Sequence, residues 1–291
     1  MKVYNPKDWV IFLLKPQNSH LFRQMNLMLL IICTYTAVVV FVEKDWLQLD
    51  KDHYLKNTIT LQSLLGFAIS ILLVFRTNTA YDRWWEGRKL WGGVVNNSRN
   101  LAIKIHAIFP EKNEHREFFR KIIPFFAKAL NQHLLAESTR LMLDEIDHPE
   151  LKIDRTKHIP NQVSRALYQK VMSLNRKGIL SFDEVRILDH ELSALVDICG
   201  ACERIKNTPI PYSYSVFSKK IVFFYILSLP IGLSFTLGYF CIPIVALVFY
   251  VMVGMELVAE EIEDPFGGDS NDIPMERITN NIFKHVNEIL E

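Results

Sequence analysis

Charge is missing from three long intervals of this 291-residue chain, 24–42, 57–75 and 221–255. The chain as a whole is nearly balanced at +1, so its charges are segregated rather than few. An ordinary soluble domain mixes them evenly; this pattern predicts a membrane protein with a large aqueous part. Sustained apolar/polar alternation bounded by turns is also lacking, which argues against a sheet. Cysteine is sparse: two of the four, Cys33 and Cys241, fall inside uncharged intervals, and Cys199 and Cys202 form a CxxC with no second pair or His at zinc spacing. That CxxC lies in a helical run without the preceding strand a redox motif wants, so packing is the simpler reading. No Gly-rich phosphate loop, GxSxG elbow or HExxH is present, and the nine His are scattered with no ligand pair four apart. Catalysis by any of these signatures is excluded, and the chain is not expected to be an enzyme. The first 20 residues carry Lys2, Lys7, Asp8 and Lys15, with a short amphipathic patch from Trp9 to Leu14 and no small-residue cleavage site, so no cleavable signal peptide is expected.

What is present fits a bilayer. A span needs about 20 apolar residues. The interval 221–255 is 35 residues long, and GYFCIP (Gly238 to Pro243) supplies a turn near its middle, so it divides into two. Four transmembrane helices are expected, at about 25–42, 57–75, 221–239 and 242–257. Pro230 should kink the third, which is tolerated where neighbours satisfy the freed carbonyl. Lys and Arg flank the spans at Lys15, Arg23, Arg76, Arg83, Arg88, Lys89, Lys219 and Lys220, whereas the 44–56 loop mixes three Lys with three Asp. The positive-inside rule then puts both termini and the middle region in the cytoplasm.

Residues 76–220 read as a helical bundle. Apolar positions recur at three and four from Leu90 to Ile108, and Phe109-Pro110 stops that helix. Further helices are expected from near His115 to Leu130, over 162–174 and over 182–205, with a charged, proline-bounded loop at 144–160. The bundle is built on extensions of the membrane helices, so residues 1–291 are read as a single unit. An acidic C-terminal segment, 258–291, follows the last span.

The 57–88 stretch passes from an uncharged run into Arg76, Asn78, Tyr81, Asp82, Arg83, Trp84 and Trp85 without a Gly or Pro break, which predicts one continuous helix. On it Phe67, Ile71 and Phe75 are four apart, so they share one face, each about 6 Å above the next. Such a stripe packs against neighbouring spans or, where several copies surround an axis, forms a narrow dewetting throat. Spacing alone does not choose. Near the C-terminus, Glu256, Glu260, Glu261, Glu263, Asp264, Asp269 and Asp272 surround a Pro-Phe-Gly-Gly turn. They suit either a hard cation such as Ca²⁺ or a solvated acidic helix end answered by ion pairs.

Three landmarks occur in order: Phe75-Arg76 followed by Tyr81-Asp82-Arg83-Trp84-Trp85, then CERIKNTPIPYSY (Cys202 to Tyr214), then DPFGGDSND (Asp264 to Asp272). With them the chain resembles the bestrophin family, specifically its bacterial branch. The resemblance implies an all-α homopentameric ion channel of the cell (inner) membrane, with one central pore passing small monovalent ions. Its partners would be itself, the lipid bilayer and those ions, with no nucleic acid. Chloride or another anion is favoured over a cation, since Phe rings present a positive edge. It places the pore neck on Phe67, Ile71 and Phe75, and a second cytoplasmic aperture in the 182–190 region, at Val185. The Ca²⁺ clasp of animal members matches Glu261, Asp264, Asp269 and Asp272, but bacterial members do not need Ca²⁺, so the resemblance implies no certain cofactor and leaves either a structural divalent cation or ion pairing at the acidic segment. A non-conducting scaffold and a membrane-embedded enzyme are the alternatives to a channel.

Overall fold

The computed structural model describes residues 20–49, 53–135, 153–154, 156–269 and 271–291, with the side chains of 20–24 left aside. The Trp9–Leu14 patch and most of the expected 144–160 loop lie outside these residues. The described residues are helical, without a strand. In chain order they form α1 (His20–Phe41), a π turn (Val42–Trp46), a 3₁₀ turn (Tyr54–Asn57), α2 (Thr58–Ile108), α3 (Glu114–Leu135), α4 (Ile159–Arg176), α5 (Phe182–Asn207), α6 (Tyr212–Leu237), a 3₁₀ turn (Gly238–Phe240), α7 (Cys241–Glu263) and α8 (Met275–Leu290).

Two compact units share helix α2. Of the described residues, the first comprises those up to Asp82 with Ile210–Glu263. Its core joins α1 (Met25, Ile32, Val40), α2 (Ile69, Leu73), α6 (Val222, Ile226, Leu229) and α7 (Val245, Phe249, Met252). Three stretches here are long and apolar enough to cross a membrane: Met25–Trp46, the helix from Tyr54, and Tyr212–Glu263. The third bends at Gly238, whose φ of +56° suits a residue without a Cβ, and α6 and α7 pack on each other. Pro243 stands inside α7 rather than in the turn. Pro230 sits within α6, and near the carbonyl its ring frees, the Tyr35 hydroxyl donates to Leu227 O (2.9 Å) and Gln62 Nε2 to Ser228 O (2.6 Å). Helix α2 lies against α6 closely enough that a Cβ on Gly66 would run into the Tyr225 hydroxyl.

The second unit holds Arg83–Pro209 and Asp264–Glu291. Its core runs from Trp91, Val94, Leu101 and Ile105 of α2 through Phe119, Ile122 and Phe126 of α3, Val163 and Leu167 of α4, and Leu188, Leu192 and Cys202 of α5, to Ile282 and Val286 of α8. The local signals are legible. Ser181 and Glu184 form a capping box at the start of α5. His158 caps α4 by accepting from the Asn161 amide (3.1 Å). Buried Arg116 donates to the carbonyls of Pro110 (2.8 Å) and Leu290 (3.0 Å), closing the turn after α2 onto the end of α8.

Candidate functional site

Arg76 fixes how α2 is rotated within its unit. Its guanidinium is 1% exposed and pairs with Glu263 (2.5 Å) and Glu256 (3.5 Å) of α7. Glu263 also accepts from the Ile210 amide (2.8 Å), and Glu256 from Ser218 Oγ of α6 (3.0 Å). A charge at this depth is retained only when paired, so the arrangement is stringent. The buried positions of this part of α2 are Gln62, Gly66, Ile69, Leu73, Arg76 and Ala80. At about 100° per residue they cluster within roughly 40° of one direction on the helix.

Phe67, Ile71 and Phe75 centre about 180° from that direction. All three are exposed in the single chain, at 67, 42 and 60%. They therefore form the outward face of α2, with Leu64 and Val74 beside them, also exposed. Thr77 and Thr79 turn their hydroxyls back onto the carbonyls of Leu73 and Phe75, so they add no free polar group to that face.

Just past the stripe, the second unit takes over α2. Arg83 donates to the carbonyls of Ile205 (2.7 Å) and Thr208 (2.6 Å), which caps the C-terminal end of α5 with a cation. Trp84 stacks on Trp85 with ring centroids 6.4 Å apart, and its Nε1 donates to Asn271 O (3.0 Å). The landmarks around Tyr81–Trp85 and Asp264–Asp272 thus meet through one indole. Val185 lies in the core of this unit at 9% exposure, while Phe182 and Ile187 on the same two turns of α5 are exposed at 76 and 49%. Their exposure was hidden in the sequence, since all three are simply apolar.

In the acidic turn, Asp272 is buried and its Oδ2 accepts from the Asp269 amide (2.6 Å), while Asp264 accepts from the Phe266 amide (3.2 Å). Gly267 closes the turn; a Cβ there would press on carboxylate oxygens of both Asp272 (3.1 Å) and Asp264 (3.3 Å). Asp272 Oδ1 is buried without a hydrogen-bond partner. Burial, with the charges of Asp269 and Asp264 adding to it, pushes the Asp272 carboxyl up to about 6. The orphaned Asp272 oxygen and the neighbouring Asp264 are oxygen donors of the kind a hard cation takes, but the carboxylates of Asp264, Asp269 and Asp272 do not converge as a three-ligand set. Glu261 belongs to the other unit, in the last turn of α7. The expected ion-pair answers to the acids also exist, in Arg76 and in Lys219, which bonds Glu260 (2.8 Å).

Comparison with known proteins agrees with this architecture. A protein of Nostoc sp. (strain PCC 7120) named voltage-dependent anion channel-forming protein is 33% identical, over 78% of each chain. A Synechocystis sp. (strain PCC 6803) protein of the same name is 29% identical over 99% of this chain and 93% of its own. The crystal structure of a bacterial bestrophin homolog from Klebsiella pneumoniae superposes with a TM-score of 0.77 at 26% identity, covering 90% of this chain and 97% of that one. Residues 2–288 match the family described as Bacterial/Fungal Bestrophin protein. With the match spanning both units and all three landmarks, this chain belongs to the bacterial and fungal bestrophin family.

Proposed function

We propose that this protein is an anion-conducting channel of the inner membrane, a homopentamer whose second span from each copy lines one axial pore. Each subunit contributes four spans, with α6 and α7 as a hairpin, and both termini face the cytoplasm as the flanking Lys and Arg indicate. The names carried by relatives support conduction of anions. The observation that carries the pore assignment is the rotation of α2: Arg76 and Gln62 bind its inward face, which leaves Phe67, Ile71 and Phe75 on the face a shared axis would see. Three such rings make an apolar neck in which an ion loses water at a cost, so the neck is the barrier to conduction. Its two Phe rings offer positive edges to an anion.

The second constriction belongs to the start of α5, around Val185, where Phe182 and Ile187 are the apolar side chains open to a pathway. A divalent cation at the acidic turn is a structural ion in this scheme. Asp264 and Asp272, which flank Gly267, would offer it oxygen, and when bound it would neutralise their mutual repulsion. No conduction step runs through it.

The test is current through purified protein in planar bilayers. The triple variant Phe67→Ala, Ile71→Ala, Phe75→Ala should conduct more than the native protein while remaining pentameric by mass. Reversal potentials under asymmetric NaCl should lie toward the chloride equilibrium value. Unchanged current in the triple variant removes the neck from the mechanism, and no ion flux at all leaves a scaffold.

A further inference from the structure

One cluster of titratable side chains is used neither by the neck nor by the acidic turn. His133 in the last turn of α3, His158 at the cap of α4 and Glu203 in α5 bring one ligand atom each to a common point. These atoms lie within 4.8 Å of one another, and among the described residues no other three His, Cys, Asp or Glu converge so closely. Both imidazoles aim Nε2 at the same oxygen, Glu203 Oε1, His133 from 2.6 Å and His158 in closer contact still. The ring centroids are 4.4 Å apart at 57°, so two nitrogen edges and a carboxylate face a single centre from three helices. Each side chain is about one-third exposed, at 34, 30 and 28%, which leaves an entry path and room for water.

We infer that His133, His158 and Glu203 form a site for a divalent transition metal of the zinc type, pinning α3, α4 and α5 together. The class follows from the donors. Two imidazole nitrogens and one carboxylate oxygen are the set borderline metals take, with water in the fourth position, whereas Ca²⁺ and Mg²⁺ take oxygen. Ligands at 2.0–2.2 Å around a tetrahedral ion stand about 3.3 Å apart, so the present contacts open by roughly half an ångström or more on loading. That movement lies within reach of small side-chain rotations. Glu203 Oε1 accepts from both imidazoles, so the carboxylate is the shared centre of the cluster. The cation whose charge bears on His133, Lys206, is occupied at the Leu134 carbonyl.

Loading has a definite proton balance. His158 Nδ1 accepts from the Asn161 amide, so the neutral ring carries its proton on Nε2, toward Glu203. A metal takes the Nε2 lone pair, and the proton must then sit on Nδ1. The bond from Asn161 is lost, and α4 exchanges its side-chain cap for a metal crosslink. The inference stands apart from the channel reading, since it concerns one unit of a single subunit.

The test uses tag-free, full-length protein in detergent, stripped with EDTA and dialysed against ZnCl₂. One tightly held zinc per chain is expected, together with a rise in melting temperature of roughly 5–10 °C at a hundredfold excess over Kd. Co²⁺ in its place should give the intense visible bands of a tetrahedral nitrogen and oxygen site. His158→Asn keeps a good helix cap, and Glu203→Gln keeps the shape of the side chain; each should weaken zinc binding at least tenfold. Lys121→Ala, an exposed position on α3 outside both clusters, should leave the stoichiometry unchanged. Absence of retained zinc in the native protein, or retention at native affinity in both His158→Asn and Glu203→Gln, overturns the site. Zinc lost with Asp272→Asn but kept in those two places the ion in the acidic turn and overturns it equally.

Discussion

Replacing Arg76 with Met should be among the more damaging single changes available in the membrane-facing unit, and its magnitude can be worked from the contacts. The guanidinium is shut away from water and stands between Glu263 at 2.5 Å and Glu256 at 3.5 Å. Met matches the stem but removes the cation, leaving buried Glu256 and partly buried Glu263 without the charge they share, although Ser218 and the Ile210 amide still donate to them. Breaking a buried pair from one side costs about 3–5 kcal/mol. The lower end applies, because Arg76 Nε and Nη1 already lack hydrogen-bond partners, so the native arrangement is itself short of its full strength. A loss of about 3 kcal/mol corresponds to a fall in melting temperature of roughly 6–12 °C for a chain of this size. Lys should recover only part of it, since a single ammonium does not reproduce the fork. Glu263→Gln in the Arg76→Met background should recover some stability by removing one uncompensated charge. The assay is thermal unfolding in detergent, followed by tryptophan fluorescence and by oligomer mass on sizing. If Arg76→Met melts within about 2 °C of the native protein and Glu263→Gln recovers nothing, Arg76 does not hold α2 in place and the rotation argument fails with it.

Asp272 gives a pH signature. Its folded pKa is raised to about 6 against about 3.9 unfolded, so the folded chain binds the extra proton: its contribution is full below pH 4 and is lost as pH rises through 6. In cation-free buffer, Asp272→Asn should therefore gain stability relative to the native protein by up to about 3 kcal/mol between pH 4 and 7; a flat difference across that range would show that the carboxyl is not strained. Cys199 and Cys202 are buried and their thiols are pushed up to about 12 by burial, with Glu203 adding to both. Native protein at pH 7.5 should leave both unlabelled by maleimide over hours while denatured protein reacts at once, and rapid native labelling would reopen a redox role for the pair.

Much of the fold could be read from where charge is absent. The uncharged intervals became α1, the start of α2, and the α6–α7 pair, and the helix expected to stop at Phe109-Pro110 ends at Ile108. The helix expected over 162–174 extends to Ile159–Arg176, its start lengthened by the His158 cap that the apolar period does not see, and the one expected over 182–205 starts where expected and runs two residues further, to Asn207. Long-range pairing was the part that could not be read. Arg76 meets Glu263 across 187 positions, and His133, His158 and Glu203 are separated by 25 and 45, spacings that match no short motif. For the histidines the local hint was weak: each sits at a helix end, as many surface residues do.

The orientation of the neck stripe is a different case, because the marker was in the sequence but on the other side of the helix. In a soluble helix, contrast between apolar and polar faces gives the rotation. In a span, both lipid and protein accept Leu, Ile and Phe, so the apolar period carries no direction, and Phe67, Ile71 and Phe75 could have been assigned to any neighbour. Polar residues break that symmetry, since lipid does not accept them and they turn inward. Gln62 and Arg76 bracket this span and are fourteen residues apart, four turns at about 3.6 residues each, so they share one face. Both are buried, with Gly66, Ile69 and Leu73 between them. The opposite face of that line runs through Phe67, Ile71 and Phe75. In this chain the two polar side chains at the margins of the second span, rather than the apolar residues that line the proposed pore, determine which way those residues point.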